Sequence, residues 1–252
     1  MRKQISFLTN RIHVWLENPW PFAAFVGAAL LYVAALASGI TEEVLDKESI
    51  VRIDGWLVQR LAAHRTSFGI ELFKTTSFIG NWQVAVIVLG LAVVVLWNRH
   101  RRAALALMLS SVGSELVVFV GKAGFGRPRP PAVLAAVKEL DASFPSGHAS
   151  ISVALYALGF YLLFRYASSR NLKRHWLALA ILFPLIVGFS RLYLGAHYFS
   201  DVLAGWSVGA WWSIFALGLF GFIRRRRTAQ LETEDLRSRP KAATEMMTSQ
   251  NR

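Results

Sequence analysis

The 252-residue chain contains no cysteine and few charged residues. Without cysteine it has no disulfide framework, no thiolate metal site and no cysteine nucleophile. Charged residues make up 17% of the chain, against about 25% in a typical soluble domain. Hydrophobic residues make up 54%, which excludes a disordered protein. The composition therefore lacks the charge that usually covers a soluble surface.

The net charge of +13 arises from 28 lysines and arginines against 15 acidic residues. In a soluble protein this excess would suggest nucleic-acid binding. Here most of the basic residues lie in short clusters between long apolar runs, a pattern typical of a membrane protein with several spans. We therefore expect membrane lipids, and no nucleic acid, as partners.

Six apolar runs are candidates for membrane-spanning helices, because a span needs roughly 20 mostly apolar residues. The sequence therefore predicts an all-α fold, a bundle of six transmembrane helices. The third run contains Glu115 and the fifth ends in Arg191, so their boundaries are less sharply defined than the others. The predicted spans are residues 20–40, 72–97, 103–121, 148–164, 176–194 and 199–222.

Four basic clusters all fall on one face of this six-span topology. The positive-inside rule makes that face cytoplasmic and places both termini inside. The expected location is the bacterial inner membrane, with the opposite face towards the periplasm. The clusters are Arg2, Lys3 and Arg11; Arg99, Arg101 and Arg102; Arg165, Arg170, Lys173 and Arg174; and Arg224, Arg225, Arg226 and Arg227.

The chain is predicted to form one membrane domain over residues 1–227, with its motif-bearing core at 103–222. The polar tail, residues 228–252, is expected to be disordered. Ala35-Leu36-Ala37 resembles a signal-peptide cleavage site. The long stretch that precedes the first apolar run favours an uncleaved anchor instead.

A short amphipathic helix is predicted between the first two spans, over residues 49–63. Ile50, Ile53, Leu57 and Leu61 recur there at helical spacing. Such a helix either lies on the outer membrane surface or packs over the bundle. The sequence leaves both possibilities open.

Three clusters of polar residues interrupt the apolar background at one predicted membrane face. The third span delivers Lys122 to the outer face, and the fourth and sixth spans begin there with His148 and Asp201. At about 1.5 Å per residue, the fifth span brings Arg191 close to the same face. Charged groups at membrane depth are costly and usually functional. The clusters occupy residues 122–130, 144–148 and 190–201.

These residues form a set suited to phosphate chemistry. Lysine, arginine and a Ser-Gly turn at a helix N-terminus all bind phosphate oxygens. Carboxylates are too few for a two-metal site, and the cations would repel a metal, so no cofactor is expected. Asp201 follows His197 by four residues, so it can accept the Nδ1 proton and leave Nε2 free to attack phosphorus. His148 can then protonate the departing oxygen.

The three clusters resemble the three-part signature of the type 2 phosphatidic acid phosphatase superfamily. This group, also called the lipid phosphate phosphatases, shares its site with vanadium haloperoxidases and glucose-6-phosphatase. The parts occur in order with intact spacing, and the resemblance covers roughly residues 103–222. It implies that His197 is the nucleophile, His148 the general acid and Asp201 the partner of His197. It also implies that phosphate is bound by Lys122, Arg129, Ser146, Gly147 and Arg191.

Two charged residues near the signature have no role in it. The spacing from Lys122 selects Arg129 rather than Arg127, so we expect Arg127 to meet substrate or lipid head groups. Glu115 lies one and a half to two turns below Lys122 in the third span. It can pair with a cation, line the substrate groove or face a neighbouring helix.

The favoured hypothesis is a membrane phosphatase that removes a terminal phosphate from a lipid, with undecaprenyl pyrophosphate as substrate. Phosphatidylglycerol phosphate, phosphatidic acid, diacylglycerol pyrophosphate and lipid A phosphates are the alternatives. A phosphotransferase that moves phosphate between two lipids would use the same site. A non-catalytic transporter or lipid-binding protein is the third hypothesis. The sequence indicates no oligomeric state.

Overall fold

The computed structural model describes residues 19–46 and 49–249, and within these ranges the chain is all-helical, as predicted. Five of its helices (α1, α4, α5, α6 and α7) are long and apolar enough to cross a membrane. The predicted basic cluster of Arg2, Lys3 and Arg11 lies outside the described residues. The helices are α1 Pro19–Leu45, α2 Ser49–Ala63, α3 Ser67–Ile79, α4 Trp82–Phe125, α5 Gly147–Tyr166, α6 Arg170–Tyr193 and α7 Phe199–Ser249.

The structure differs from the predicted second and third spans. It interrupts the apolar run 72–97 at Gly80, and Asn81 starts α4 by accepting a hydrogen bond from the Gln83 N–H at 3.2 Å. Helix α4 then continues for 44 residues through the predicted 98–102 loop, with non-helical angles only at His100 (φ −136°, ψ 45°). The kink divides α4 into the segments 82–99 and 101–125, about 27 and 38 Å long at about 1.5 Å per residue. Trp82 and Lys122, near the two ends of α4, line the same cavity, so both ends lie at the same end of the bundle.

The kink at His100 lies at the end of the bundle opposite the polar clusters. The His100 ring stacks on Tyr166, the last residue of α5, with 3.9 Å between ring centroids. The second half of α4 runs from this kink to Lys122, and α5 runs from Gly147 to Tyr166. The two helices therefore place Lys122 and Gly147 together at their other ends.

Small residues allow α7 to lie close against α5. A Cβ atom added at Gly205 would collide with the carbonyl oxygen of Ser146, and one at Gly209 with that of Ser150. The Ser146 N–H also donates to the Asp201 carbonyl oxygen at 3.0 Å. Close packing through glycine is typical of membrane helices, and here it fixes the first turns of α5 and α7 side by side.

The outward face of α4 carries large apolar side chains that are mostly exposed in the described part of the chain. Five of them are 61–77% exposed. A surface of this kind is favourable in contact with lipid and unfavourable in water. These side chains are Val86, Ile87, Leu91, Val94 and Val95.

Helix α2 packs over the bundle against α6, the second of the two possibilities that the sequence left open. Its position at the outer membrane surface stays a prediction. Its buried residues are Ile50, Asp54 and Val58, one turn apart along a single face. Trp56, on another face, is 63% exposed. A buried aspartate on the packed face is unusual and requires polar partners.

The chain divides into two compact units, of which residues 30–216 form the larger and contain all the polar clusters. The smaller unit includes residues 19–29 and the described part of α7 from residue 217. In this unit the Phe22 ring lies against Gly221, and the Arg225 guanidinium lies 4.4 Å from the same ring. Helix α7 extends to Ser249 and so includes most of the polar segment for which disorder is expected. The domain boundary at residue 227 stays a prediction.

Candidate active site

A cavity of about 630 Å³ lies between α3, α4, α5 and α6 at the end of the bundle that carries the polar clusters. Six of the eight predicted site residues line it. The other two, Ser146 and Asp201, are fully buried beside them. The lining residues from the prediction are Lys122, Arg129, Gly147, His148, Arg191 and His197.

The His197 imidazole is held between a carboxylate and a guanidinium. Its Nδ1 atom lies 3.4 Å from Oδ2 of Asp201, and its Nε2 atom lies 3.2 Å from Nη1 of Arg129. A guanidinium can only donate hydrogen bonds, so Nε2 is the acceptor and the ring proton belongs on Nδ1, facing the carboxylate. This tautomer leaves a lone pair on Nε2 at the cavity.

A left-handed turn after α6 carries His197 into this position. Gly195 has φ +66°, and a Cβ atom there would collide with the carbonyl oxygen of Leu134. Both the backbone angle and the close approach require glycine. Arg65 closes the end of α6 by donating to the carbonyl oxygens of Tyr193 and, at 2.6 Å, Leu134. Sequence reasoning gave Arg65 no role.

Asp201 lies in the first turn of α7 and accepts hydrogen bonds on both carboxylate oxygens. Oδ2 accepts from the Tyr198 N–H at 2.8 Å and from the Ser143 hydroxyl. Oδ1 accepts from Nη1 of Arg127 at 2.5 Å. Several donors around one buried carboxylate stabilise its ionised form.

The cations of the cavity are paired with two carboxylates that sequence reasoning missed. Arg129 Nη2 lies 2.6 Å from Oδ1 of Asp141, whose other oxygen contacts Lys122. Arg191 pairs with Glu139 and also donates to the Ser77 hydroxyl. Both acids come from the connection between α4 and α5.

The charges of these pairs shift the pKa values of the groups that lie outside the spanning helices. Burial raises the pKa of Asp141, but Lys122 and Arg129 outweigh it and hold the pKa at about 2. Burial also raises the pKa of Glu139, but the charge of Arg191 outweighs this effect, so the pKa of Glu139 is lowered overall. Burial, Arg191 and Arg129 lower the pKa of His197 to about 4, although Asp201 acts in the opposite direction. These directions favour ionised acids around a neutral imidazole.

The first turn of α5 presents His148 to the cavity. Ser146 caps this helix, because its hydroxyl accepts a hydrogen bond from the Ala149 N–H at 3.4 Å. His148 follows two residues later, and a Cβ atom at Gly80 would lie 3.3 Å from its ring. The interruption between α3 and α4 thus leaves room for the imidazole.

The structure corrects one expectation and decides another. Arg127, expected to meet substrate or lipid head groups, instead pairs with the buried Asp54 at 2.8 Å and with Asp201. Glu115 lines the cavity, the second of its three predicted environments. Its buried Oε1 atom has no hydrogen-bond partner among the residues that the structure describes.

The rim of the cavity is apolar, in contrast to its cationic interior. Phe78 and Trp82 are each 65% exposed, and Phe119 is 72% exposed. All three line the cavity. The arrangement combines anion-binding groups with an apolar surface that is exposed beside them.

Comparisons with known proteins agree with this arrangement. The sequence profile of the PAP2 superfamily matches residues 103–225. A lipid A 1-phosphatase of Rhizobium etli is 35% identical over 181 residues, which cover 61% of this chain and 72% of that protein. An undecaprenyl-diphosphatase of Sulfolobus acidocaldarius is 32% identical over 131 residues, which cover 50% of this chain and only 59% of that protein.

A solved structure shares the fold. The crystal structure of a transmembrane PAP2-type phosphatidylglycerolphosphate phosphatase from Bacillus subtilis superposes with a TM-score of 0.64 at 24% identity. The match covers 76% of this chain and 94% of that structure. Fold and relatives define an integral membrane protein of the helical phosphatase class. The chain belongs to the PAP2 superfamily.

Proposed function

We propose that this protein is a lipid phosphate phosphatase that removes a terminal phosphate through a phosphohistidine intermediate, without a metal, and that undecaprenyl pyrophosphate is its substrate. The observation that carries the proposal is the environment of His197. Its Nε2 atom lies 3.2 Å from a cavity arginine, and its Nδ1 atom lies 3.4 Å from a buried aspartate. An activated nucleophile paired with an orienting carboxylate is the pattern of covalent catalysis.

In the first step, the terminal phosphate displaces Asp141 and Glu139 from Lys122, Arg129 and Arg191. Nη1 of Arg129 turns from Nε2 of His197 to a phosphate oxygen, which frees the Nε2 lone pair. The N–H groups at the start of α5, around Ser146 and Gly147, add further donors. Nε2 of His197 attacks phosphorus and forms an N–P bond, while the P–O bond to the lipid breaks. His148 gives its proton to the departing oxygen, and the cations stabilise the charge on the equatorial oxygens.

In the second step, water replaces the histidine. His148, now without its proton, takes a proton from the attacking water. A new P–O bond forms as the N–P bond breaks, so inorganic phosphate leaves and His197 returns to its neutral form. Asp201 stabilises the positive charge that the imidazole carries while it is phosphorylated.

The apolar rim supports a lipid as substrate. Phe78, Trp82 and Phe119 extend the cavity wall with exposed rings on which an acyl or prenyl chain can lie while its phosphate meets the cations. The three cations beside His197 (Lys122, Arg129 and Arg191) suit the charge of a diphosphate. Relatives named for undecaprenyl diphosphate and for lipid A both fit this description, and we favour the former.

We also propose six spans with both termini in the cytoplasm and the cavity open to the periplasm. Helix α4 is too long for a single crossing, and its kink at His100 lies among Arg99, Arg101 and Arg102, which are costly inside a bilayer. Stacking of His100 on Tyr166 places this basic segment beside the basic connection after α5. Both lie at the end of the bundle away from the cavity, and the positive-inside rule assigns such a basic end to the cytoplasm.

Phosphate release by the purified protein in detergent tests the function. The lipids are undecaprenyl pyrophosphate, phosphatidylglycerol phosphate, phosphatidic acid and a lipid A preparation, each with excess chelator. We expect chelator-resistant release that falls by at least about 10³-fold in His197→Ala. His175→Ala, which removes an exposed imidazole at the other end of α6, is the matched control and should retain the wild-type rate.

Each other result points to a different function. Chelator-sensitive release would contradict the metal-free mechanism. Transfer of phosphate to a second lipid without free phosphate would identify a phosphotransferase. Absence of turnover with every lipid would contradict an enzyme and favour a lipid-binding protein.

A further inference from the structure

Arg127 joins two buried aspartates from different helices. Its Nη2 atom lies 2.8 Å from Oδ2 of Asp54 on α2, and its Nη1 atom lies 2.5 Å from Oδ1 of Asp201 on α7. The two aspartates are 1% and 0% exposed. The guanidinium also lies 4.4 Å from the centre of the Tyr198 ring, which covers it. In the interior triad of Asp54, Arg127 and Asp201, both carboxylates are therefore shielded from solvent, and the arginine side chain is 12% exposed.

Asp54 also holds the first turn of the helix that carries Asp201. The first N–H groups of a helix have no partners within it. Oδ1 of Asp54 accepts one of them, the Ser200 N–H, at 2.9 Å, and Oδ2 accepts the Ser200 hydroxyl at 2.5 Å. A carboxylate at a helix N-terminus is stabilising. Because Ser200 directly precedes Asp201, Asp54 fixes the backbone from which the Asp201 side chain extends.

The charges of the interior triad depend on one another. Two buried carboxylates without a cation would repel, and one of them would take up a proton. The planar guanidinium reaches the two carboxylates with two separate nitrogens in a fixed fork, a geometry that the single nitrogen of a lysine does not reproduce. Burial disfavours the charged guanidinium and so lowers the pKa of Arg127. The two carboxylates of Asp201 and Asp54 outweigh burial, and the pKa of Arg127 is raised overall.

Neither Asp54 nor Arg127 belongs to the described residues that line the cavity. Any effect they have on catalysis must therefore pass through Asp201, which lies 3.4 Å from His197. Asp54 also lies outside the segment 103–225 that matches the family profile. The site of this chain is thus completed by a residue from a helix near its N-terminus.

We propose that Asp54 and Arg127 are positioning residues that hold Asp201, and through it the His197 imidazole, in the orientation for attack on phosphorus. This inference rests on the proposed function. It separates two tasks among the arginines of the first cluster: Arg129 binds phosphate, whereas Arg127 orients the group behind the nucleophile.

The test compares Arg127→Gln, Arg127→Lys and Asp54→Asn with the wild type on undecaprenyl pyrophosphate. We expect Arg127→Gln and Asp54→Asn to lower kcat by about 10–100-fold, the usual cost of removing a partner behind a functional group, with KM nearly unchanged. Arg127→Lys should recover part of kcat, because it restores the charge but not the fork. Arg52→Gln, an exposed arginine on the same helix as Asp54, is the matched control.

Two further measurements separate positioning from a loss of fold. The inhibition constant of inorganic phosphate should stay within about twofold of wild type, because the cavity cations are intact. In the double variant Asp54→Asn with Arg127→Gln, the loss should be smaller than the product of the single losses, because both residues act on Asp201.

The possible results are distinct. Unchanged kcat in both single variants would overturn the positioning role alone, provided the wild type releases phosphate. Loss of both kcat and phosphate inhibition would also overturn it, since the pair would then only maintain the fold. A wild type that releases no phosphate would overturn the proposed function itself.

Discussion

Two groups of carboxylates and cations surround His197, and they differ in burial. In the interior triad, Asp54 and Asp201 are 1% and 0% exposed. In the cavity group, the carboxylates pair with Lys122, Arg129 and Arg191, and the side chains of Glu139 and Asp141 are 30% and 55% exposed. Breaking a buried pair is costly because it leaves a charge without water or partner, whereas exposed pairs contribute little. The interior triad is therefore fixed, and the cavity group can exchange its carboxylates for a phosphate.

Replacement of one carboxylate from each group should give the largest contrast. Asp201→Asn is expected to lower kcat by about 10³–10⁴-fold, because its amide can donate to Nδ1 and move the ring proton to Nε2, where it blocks attack. Asp141→Asn should leave kcat within a fewfold of wild type. Steady-state rates on the same lipid measure both.

Thermal unfolding in detergent is the control for this pair of variants. If Asp201→Asn and Asp141→Asn lose the same fraction of kcat and unfold at the same temperature, the division into a fixed interior triad and an exchangeable cavity group is contradicted. Equal rates in Asp201→Asn and wild type would contradict the role of Asp201 in setting the tautomer of His197.

Loss of a cation from the cavity group should have the next largest effect. Arg129→Gln removes donors to the phosphate and is expected to lower kcat/KM by about 10²–10³-fold. Lys74, which also lines the cavity but pairs with the exposed Glu71, provides the comparison. We expect Lys74→Gln to change kcat/KM far less. A similar loss in the two variants would show that total charge, rather than the position of Arg129, determines binding.

Removal of the cavity carboxylates should strengthen phosphate binding. Glu139→Gln and Asp141→Asn free Arg191, Lys122 and Arg129 from partners that compete with phosphate. Because such partly exposed pairs are weak, each variant should lower the inhibition constant of inorganic phosphate by about 2–5-fold.

Glu42→Gln, which removes an exposed acid of α1 that does not line the cavity, is the control for this series and should have no effect. Weaker phosphate binding in Glu139→Gln or Asp141→Asn would mean that the acids hold the cations in place rather than compete for them.

The elements that sequence patterns predicted well are those set by local chemistry. Hydropathy gave the start of α5 within one residue of Gly147 and placed the start of α7 at Phe199. Motif spacing selected the residues that the structure gathers around one cavity. Two features of the helices could not be predicted from the sequence pattern. The break at Gly80 is hidden because the apolar run continues past it. The kink at His100 is hidden because a basic segment between two apolar runs is compatible with either a kink or a loop.

The remaining parts of the site depend on contacts that are remote in the chain. Asp54 accepts a hydrogen bond from Ser200, 146 residues away. Its sequence neighbours predict only an amphipathic helix, so the reason for a buried acid appears once α2 packs over the bundle. Glu139 and Asp141 lie in a connection of irregular structure, where no periodic pattern indicates which side chains turn towards the cavity. The adjacent positions of Arg127 and Arg129 likewise do not reveal that the two point to different partners.

The smallest expected effect is a shift of the pH profile, and it measures the balance between the two groups. Burial, Arg191 and Arg129 lower the pKa of His197 to about 4, while Asp201 raises it. In the proposed mechanism the neutral imidazole attacks phosphorus, so a lowered pKa of His197 should preserve activity towards acid. Between pH 7 and pH 5, protonation of His197 should lower kcat/KM by less than about twofold. If the imidazole had the ordinary pKa of about 6.5, most of kcat/KM would be lost over the same range.

Arg129→Gln removes one cation near His197 and should therefore move the acid limb of the profile to higher pH. The substrate phosphate ionises identically with both enzymes, so the difference between their acid limbs reports on His197. An acid limb that does not move, or that moves to lower pH, would show that the cavity cations do not control this imidazole.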